Sequence, residues 1–411
     1  MPSCSHIWTY ICTYIKYRLP AIMITIAEIK KLRIVHLGIA ITFFVSGLVI
    51  NVAQLILYVC LKPFNVSLYR HIMNYLCYSL HSQLIFVAEW YSHGNLHIYM
   101  DPDDMAQFSG KEHVLIVQNH SYEIDWLSGW MFADKVGVLG NCKAYAKKAI
   151  SYVPIVGWAW KFAEFVFLER SYDKDSEIID RQLKEVFAYP DPVWLLLNAE
   201  GTRFTAKKHA ASIQFAEERG LTVLKHHLIP RTKGFTTSLP AMRGRCTAIY
   251  DTNLAFKRDD KNSPTISTLL NGLPVDGYIY VRRIPLEKVP TDEKAAAEWL
   301  HNLYREKDCV IDSFHTTGSF FETSGVKEVP EIVFKYRKCS LVNFVLWAIF
   351  TITVIVYYLV SSFLAHNWIG FSIVAGLIFS IYLLMLKSIN MSKISKSSEY
   401  GSNTQTHSKS K

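Results

Sequence analysis

The chain has 411 residues, half of them hydrophobic, and a formal net charge of +9 at pH 7. This length allows one large domain or two small ones, and the positive mean hydropathy indicates membrane segments rather than a purely soluble protein. The excess of positive charge suits work against anionic lipid surfaces. It does not indicate nucleic-acid binding, because no nucleic-acid-binding motif accompanies it.

Residues 1–33 are predicted to form an N-terminal extension. They contain Arg18, Lys30 and Lys31 but no compact apolar core followed by a small-residue cleavage site, so a removed signal peptide is not expected. Residues 34–61, which follow, carry no charge and are long enough to cross a bilayer.

The sequence leaves open whether residues 34–61 cross the membrane or turn back within it. The basic residues before this segment place its N-terminal side in the cytoplasm, and a single span would carry residues 92–335 to the far side of the membrane. The segment can instead bend at Gly47, Asn51 and Gln54, or pair with the amphipathic stretch 72–91. We therefore predict a membrane-embedded or interfacial helical anchor over residues 34–91.

Residues 92–335 alternate short apolar runs with helical patterns. Strands are predicted over residues 113–118, 165–168, 193–198, 224–229, 247–252 and 278–283. Helices are predicted over residues 126–133, 175–188, 209–219 and 291–307, the last with Thr291 as its cap. This alternation is typical of an α/β domain with a mostly parallel sheet flanked by helices. An active site is expected at the carboxyl ends of its strands.

His120 and Asp125 follow the predicted strand 113–118 in a polar turn. A histidine held by a carboxylate can take a proton from a hydroxyl, which is chemistry for acyl transfer. With 15 histidines in the chain, one such spacing is expected by chance, so the pair gains its weight from its place after a strand. Positions five apart on a helix point away from each other, and the pair therefore requires a turn.

Arg170 and the segment Glu200–Gly201–Thr202–Arg203 follow two further predicted strands. A guanidinium fork suits a phosphate group, so Arg170 and Arg203 are candidates for an anion clamp. The structural alternatives are a surface salt bridge for Arg203 and a helix cap for Glu200. The chain has no G-x-S-x-G motif, so the attacking group is expected to be the hydroxyl of a substrate.

No metal site is predicted. The eight cysteines include no C-x-x-C pair and are expected to be reduced. His93 and His97 have the spacing of a metal pair on a helix, but Gly94 and Asn95 between them favour a turn.

Residues 339–386 are predicted to form two transmembrane helices joined by a short uncharged turn around His366. Basic residues flank both ends of this segment and place both ends, together with the region that holds His120, in the cytoplasm. These flanking residues are Lys335, Arg337 and Lys338 before it, and Lys387, Lys393 and Lys396 after it. Residues 387–411 are polar and are expected to form a disordered tail.

Four segments in this order resemble the sequence blocks of glycerolipid acyltransferases. They are residues 119–125 (NHSYEID), 165–170 (FVFLER), 200–203 (EGTR) and 228–234 (LIPRTKG). Residues 146–148, 152–158 and 230–237 are further similar to the animal 1-acylglycerol-3-phosphate acyltransferases of the gamma and delta type. The resemblance covers roughly residues 35–400, and one departure is that the second block follows Glu164 where the family usually has a glycine.

The resemblance implies transfer of a fatty acyl group from acyl-CoA to the sn-2 hydroxyl of lysophosphatidic acid, giving phosphatidic acid at the endoplasmic reticulum membrane. His120 would be the general base and Asp125 would hold it. The residues implied to bind substrate are Arg170, Glu200, Gly201, Thr202, Arg203 and Pro230. No cofactor is expected, since acyl-CoA is a co-substrate. Several basic residues could bind the phosphates of CoA, and the sequence does not favour one over another: Lys143, Lys147, Lys148, Arg282 and Arg283.

Two alternatives stay open. One keeps the chemistry and changes the acceptor to lysophosphatidylinositol or a similar lysophospholipid. The other is a non-catalytic membrane scaffold or lipid-binding protein with the same fold. Neither the acyl-chain preference nor the oligomeric state is predicted from the sequence.

Overall fold

The computed structural model describes residues 25–169, 172–335 and 337–393, apart from the side chains of residues 172–177. Arg170, most of the N-terminal extension and most of the polar tail lie outside these ranges. The strands are β1 (Leu96–Tyr99), β2 (Val114–Gln118), β3 (Cys142–Lys147), β4 (Val166–Leu168), β5 (Trp194–Leu197), β6 (Ala248–Phe256), β7 (Gly277–Pro285) and β8 (Glu331–Ile332).

The described α-helices alternate with these strands or flank them on either side in the chain. They are α1 (Ile26–Lys30), α2 (Arg33–Cys60), α3 (Val66–Ile85), α4 (Pro102–Phe108), α5 (Asp125–Val136), α6 (Val156–Phe162), α7 (Tyr172–Val186), α8 (Ala206–Glu218), α9 (Thr232–Met242), α10 (Ile266–Leu270), α11 (Glu293–Thr317), α12 (Lys338–Leu364) and α13 (Trp368–Ser392).

The eight strands form one sheet in the order β4-β3-β5-β2-β6-β7-β1-β8. Within the described residues five of the seven strand pairs are parallel, while β6–β7 and β1–β8 are antiparallel. All nine positions of β6 are buried, as expected for a central strand covered on both faces. The prediction of an α/β domain with a mostly parallel sheet flanked by helices is confirmed.

The predicted strand over residues 224–229 is wrong, because this segment has no regular structure. Side chains rather than a neighbouring strand occupy its backbone donors. The Asp308 carboxylate accepts from the N–H groups of Lys225 and His226, and Ser212 accepts from that of Ile229. An apolar run alone does not distinguish these two ways of satisfying the backbone.

The helix predicted over residues 291–307 is longer than predicted, and its N-cap lies one residue later in the chain. Asp292, rather than Thr291, is the N-cap, and its side chain accepts from the N–H of Ala295. The helix continues to Thr317 and ends at Gly318 in a left-handed conformation. Strand β3 and helix α9 were not predicted, since β3 carries two lysines and α9 contains Pro240.

Helices α2 and α3 pack against each other beside the sheet domain. Helix α2 is unbroken through Gly47, Asn51 and Gln54, and its polar side chains point inward. Asn51 donates to the Ile155 carbonyl at 3.2 Å, and Ser46 and Gln83 are hydrogen-bonded across the two helices. The bend considered at these positions is absent, and the side-chain amides of Asn51 and Gln54 instead donate to packing partners inside the protein.

Three described helices, α2, α12 and α13, are long and apolar enough to cross a membrane, and the protein is membrane-associated. Helices α12 and α13 form an antiparallel pair joined by a short turn, and both pack on the first half of α2. Helix α13 continues beyond Lys387 to Ser392, so the predicted disordered tail begins too early. Ile389 is partly buried against the cluster formed by α2, α12 and α13, and this packing stabilises the helix beyond Lys387.

Candidate active site

The candidate site lies where two adjacent parallel strands end. Strands β2 and β5 pair in parallel with Val117 opposite Leu197. His120 lies three residues after Val117, and Glu200 lies three residues after Leu197. The loop that carries His120 and the loop that carries Glu200 therefore leave the same edge of the sheet side by side, as the sequence predicted for an α/β fold.

His120 and Asp125 are hydrogen-bonded through His120 Nδ1 and Asp125 Oδ2 at 2.7 Å. Asp125 is the first residue of α5, and its carboxylate also accepts from the backbone N–H groups of Trp126 and Tyr122. A carboxylate that accepts all three bonds assigns the proton to Nδ1 of the imidazole. The Asp125 side chain is 2% exposed and that of His120 is 22% exposed, so the imidazole is the accessible member of the pair.

The main chain around His120 is held from both sides. Asn119 forms a reciprocal pair of 2.9 Å hydrogen bonds with the backbone of Leu254 in β6. The His120 carbonyl accepts from the N–H of Phe204 at 2.7 Å. This fixation lets the imidazole approach a substrate without local reordering, which favours a catalytic role.

Glu200 is buried and bridges two of the predicted sequence blocks. Its Oε1 accepts from the backbone N–H of His120 at 3.1 Å, and its Oε2 accepts from that of Leu228 at 3.2 Å. Burial raises the pKa of the Glu200 carboxyl to about 8, although these two N–H donors and the charge of Lys307 act in the opposite direction. In this arrangement the buried Glu200 side chain holds the backbone of the loop that carries His120.

Gly201, Thr202 and Pro230 lie in the same loop region as Glu200. Gly201 has a φ of +71°, and a Cβ atom there would lie 2.8 Å from Cδ of Arg231. The Thr202 hydroxyl accepts from Nζ of Lys208 at 2.7 Å, and Pro230 is buried beside the Arg231 backbone. A glycine is required at 201 both for the backbone conformation and for this close approach.

Arg203 contacts the C-terminal end of a membrane helix. Its Nη1 donates to the Ser392 carbonyl at 2.7 Å, while its buried Nε has no hydrogen-bond partner among the described residues. The guanidinium is therefore held by a helix end rather than by the surface salt bridge considered from the sequence. Of the predicted site residues, His120, Asp125, Glu200, Gly201, Thr202, Arg203 and Pro230 are described, and Arg170 is not.

Comparison with known proteins agrees with this architecture. The acyltransferase family model matches residues 98–239, and the acyltransferase C-terminus model matches residues 268–347. The chain is 39% identical to human 1-acyl-sn-glycerol-3-phosphate acyltransferase gamma over 92% of its length and 97% of that protein. The delta protein of Mus musculus is 39% identical with the same coverage, and that of Bos taurus is 42% identical over 79% of this chain and 82% of its own length.

This chain belongs to the 1-acyl-sn-glycerol-3-phosphate acyltransferase family. The resemblance drawn from the four sequence blocks is confirmed. A crystal structure of the acyltransferase PlsC from Thermotoga maritima is also similar, with a TM-score of 0.40 and 10% identity over 68% of this chain and 97% of that one.

One buried group in this acyltransferase was missed by the sequence analysis. Lys307 of α11 is fully buried, and its Nζ donates to Asp251 Oδ1 at 2.7 Å and to the carbonyls of Val117 and Thr252 at 3.2 and 2.8 Å. It therefore ties the end of β2, three residues before His120 in the chain, to the middle of β6. The sequence feature that could have identified it is its spacing: Lys307 lies four residues after Leu303 and three before Val310, on the same face of the helix as these buried residues.

Most of the basic residues considered for CoA are engaged within the acyltransferase itself. Arg282 pairs with Asp251 and Glu306, and Arg283 pairs with Glu112. Lys143 is buried and donates to the Ala163 carbonyl, while Lys148 pairs with Glu169. Lys147 is exposed. Groups committed to internal ion pairs are poorly placed to neutralise the phosphates of a ligand.

Proposed function

We propose that this acyltransferase moves a fatty acyl group from acyl-CoA to the sn-2 hydroxyl of lysophosphatidic acid and so forms phosphatidic acid. The observation that carries the proposal is the His120–Asp125 pair, with its accessible imidazole, at the strand ends that also present Arg203. The acceptor follows from the activity for which the related proteins are named.

His120 acts as a general base through Nε2, since Nδ1 donates to Asp125. As Nε2 takes the proton of the acceptor hydroxyl, the hydroxyl oxygen attacks the thioester carbonyl and an ester C–O bond forms. The C–S bond then breaks, CoA leaves as a thiolate, and the imidazolium returns the proton to the sulfur. Asp125 fixes the tautomer and stabilises the imidazolium, and no covalent enzyme intermediate is required.

Arg203 binds the phosphate monoester of the acceptor. Its buried Nε lacks a partner among the described residues, and a phosphate oxygen would satisfy this donor. Gly201 and Pro230 shape the loop around the acceptor, and Glu200 and Thr202 hold that loop in place. Arg170, which follows strand β4 in the chain, is proposed as a second phosphate ligand by family resemblance.

The site faces the cytosol at the surface of the endoplasmic reticulum membrane in this proposal. Lys335, Arg337 and Lys338 precede α12, while Lys387 and Lys393 stand near the end of α13, so both ends of the helical pair favour the cytoplasmic side. The contact between Arg203 and Ser392 brings the site to this end of α13. A lipid acceptor can then reach His120 from the bilayer surface.

The test is acyl transfer from labelled oleoyl-CoA by membranes that contain the wild type, His120→Ala or His71→Ala. His71 is a matched control, because it also pairs with an aspartate, Asp191, at 2.8 Å but lies on an exposed surface. Lysophosphatidic acid, lysophosphatidylinositol and lysophosphatidylcholine are offered in parallel.

The proposal expects labelled phosphatidic acid from the wild type and from His71→Ala. The loss in His120→Ala should be about a hundredfold to ten-thousandfold, the range for removal of a general base. Transfer to a different acceptor would replace lysophosphatidic acid while keeping the base. Transfer that does not depend on His120 would overturn the mechanism, and no transfer at all would favour a lipid-binding scaffold.

A further inference from the structure

An aromatic and aliphatic surface is formed by the segment before α6 and the first turn of α6. Tyr152 is 70% exposed, Val153 is 43% exposed and Trp158 is 38% exposed. Single exposed apolar residues are common on proteins, so the location of this surface decides whether it has a role. We call residues 151–158 the aromatic loop.

The aromatic loop and α6 lie alongside the second half of α2. Ile155, just before α6, packs so closely on α2 that a Cβ atom at Gly47 would lie 2.4 Å from its Cγ2. Its carbonyl accepts from Asn51 at 3.2 Å. At the other end of α6, the ring of Phe162 is 5.7 Å from that of Tyr58. Helix α6 therefore follows α2 from about Gly47 to Tyr58.

This same part of α2 presents an apolar face to the outside. Leu48, Val52, Leu55, Ile56 and Val59 are all exposed, although α2 is one of the helices apolar enough to cross a membrane. An exposed apolar face on such a helix is covered by lipid. Because α6 and the aromatic loop pack alongside this same stretch of α2, the bilayer that covers its exposed face also reaches them.

The composition of the loop suits the region between acyl chains and head groups. Tyrosine and tryptophan combine an apolar ring with a polar atom and are enriched at this depth. Lys161, near the end of α6, is exposed and can reach anionic lipid head groups. The conformation is specific as well, since Ile155 has a φ of +71°, which a β-branched residue adopts only when its surroundings hold it there.

We propose that the aromatic loop is a membrane-insertion element of the catalytic domain, with the lipid bilayer as its partner. Tyr152 and Val153 enter the interfacial layer of the bilayer, and Trp158 lies at its edge. Together with α2, the loop gives the catalytic domain a second point of attachment and a defined orientation on the membrane. This contact does not depend on which acceptor is acylated.

The experiment places an environment-sensitive fluorophore at Val153→Cys or at Val223→Cys in the full chain. Val223 is a matched control, since it is 42% exposed and lies after α8, two residues before the Lys225–Asp312 ion pair. The exposed cysteines Cys60, Cys309 and Cys339, together with Cys4 and Cys12 of the N-terminal extension, are replaced by serine in both proteins. Each labelled protein is reconstituted into phosphatidylcholine nanodiscs with or without spin-labelled acyl chains.

We expect blue-shifted emission at position 153 and severalfold stronger quenching by the spin-labelled lipid than at position 223. Equal quenching at the two positions would overturn the proposal. A blue shift without lipid quenching, and dependent on the number of chains per disc, would identify a second copy of the chain as the occupant and would also overturn it. Tyr152→Cys provides a second probe position if Val153→Cys does not fold.

Discussion

In the proposed mechanism Asp125 acts through His120, and its own contacts make this role testable. Replacement by asparagine keeps the size of the side chain but puts an N–H donor where a carboxylate oxygen now accepts from Nδ1. We expect Asp125→Asn to lower kcat by about a hundredfold to ten-thousandfold, because the imidazole then loses its tautomer and the stabilisation of its charged form.

Steady-state kinetics with varied acceptor check this expectation. Asp191→Asn is the control, since Asp191 makes a similar hydrogen bond to His71 on the surface. A change confined to KM for the acceptor would show that Asp125 shapes the binding site rather than supporting the base.

Glu200 links catalytic geometry to pH-dependent stability. Burial raises its pKa to about 8 in the folded protein, well above the ordinary value of a glutamate. The folded state therefore retains a proton that the unfolded state releases near its ordinary pKa. The contribution to stability is fully present below about pH 4.5 and is lost as the pH rises through about 8.

Glu200→Gln removes this titration and one of the two acceptor oxygens. We expect the variant to be less stable than the wild type by about 1 kcal/mol at low pH, and this difference to vanish and then reverse as the pH rises toward 8, because only the wild type loses the proton-linked contribution. Thermal unfolding in detergent over this pH range provides the measurement. A difference that is constant with pH would mean that the Glu200 carboxyl does not change its protonation on folding.

At the scale of elements, Lys307 joins helix α11 to β2, the strand that leads to His120, and to the neighbouring strand β6. The Lys307–Asp251 pair is completely buried, and Arg282 is the second partner of Asp251. Burial alone would raise the pKa of the Asp251 carboxyl, but Lys307 and Arg282 together lower it. The ion pair therefore holds β2 and β6 together in its charged form.

Lys307→Met should destabilise the protein by about 3–5 kcal/mol, because it leaves a buried carboxylate with only one of its two cations. Adding Asp251→Asn should recover part of that loss, since the uncompensated charge is then removed. Chemical or thermal unfolding of the three variants checks both expectations. If the double variant is no more stable than Lys307→Met, packing around Lys307 rather than its charge is what matters.

At the scale of the whole molecule, the C-terminal helix pair contacts the candidate active site. The Ser392 carbonyl at the end of α13 holds Arg203, which lies 189 residues away in the chain. The membrane segment is therefore connected directly to the proposed phosphate ligand.

Truncation after Lys387 should raise KM for the acceptor severalfold, because Arg203 then loses the carbonyl that orients it. Truncation after Lys393 retains Ser392 and is the matched control. Acyl-transfer kinetics in membranes that contain equal amounts of each protein provide the comparison. Equal KM values for the two truncated proteins would show that the contact does not orient Arg203 for binding.

The fold could be predicted wherever local patterns decide the structure. Strands β2, β4, β5 and β7 and helices α5, α7 and α8 have the predicted type because hydrophobic periodicity and turn residues are local signals. Residues 224–229 departed from the prediction because their backbone donors are satisfied by the side chains of Asp308, Glu200 and Ser212, which are distant in the sequence.

The sequence by itself determined the family, the apolar segments and the strand ends at which His120 and Glu200 stand, since motif order, hydropathy and alternation are properties of the chain alone. Only the tertiary structure decided what these residues contact. The burial of Glu200 behind His120, the contact of Arg203 with Ser392 and the ion pair beneath β2 join residues 80, 189 and 56 positions apart. Such contacts depend on packing across the whole molecule, which no local pattern encodes.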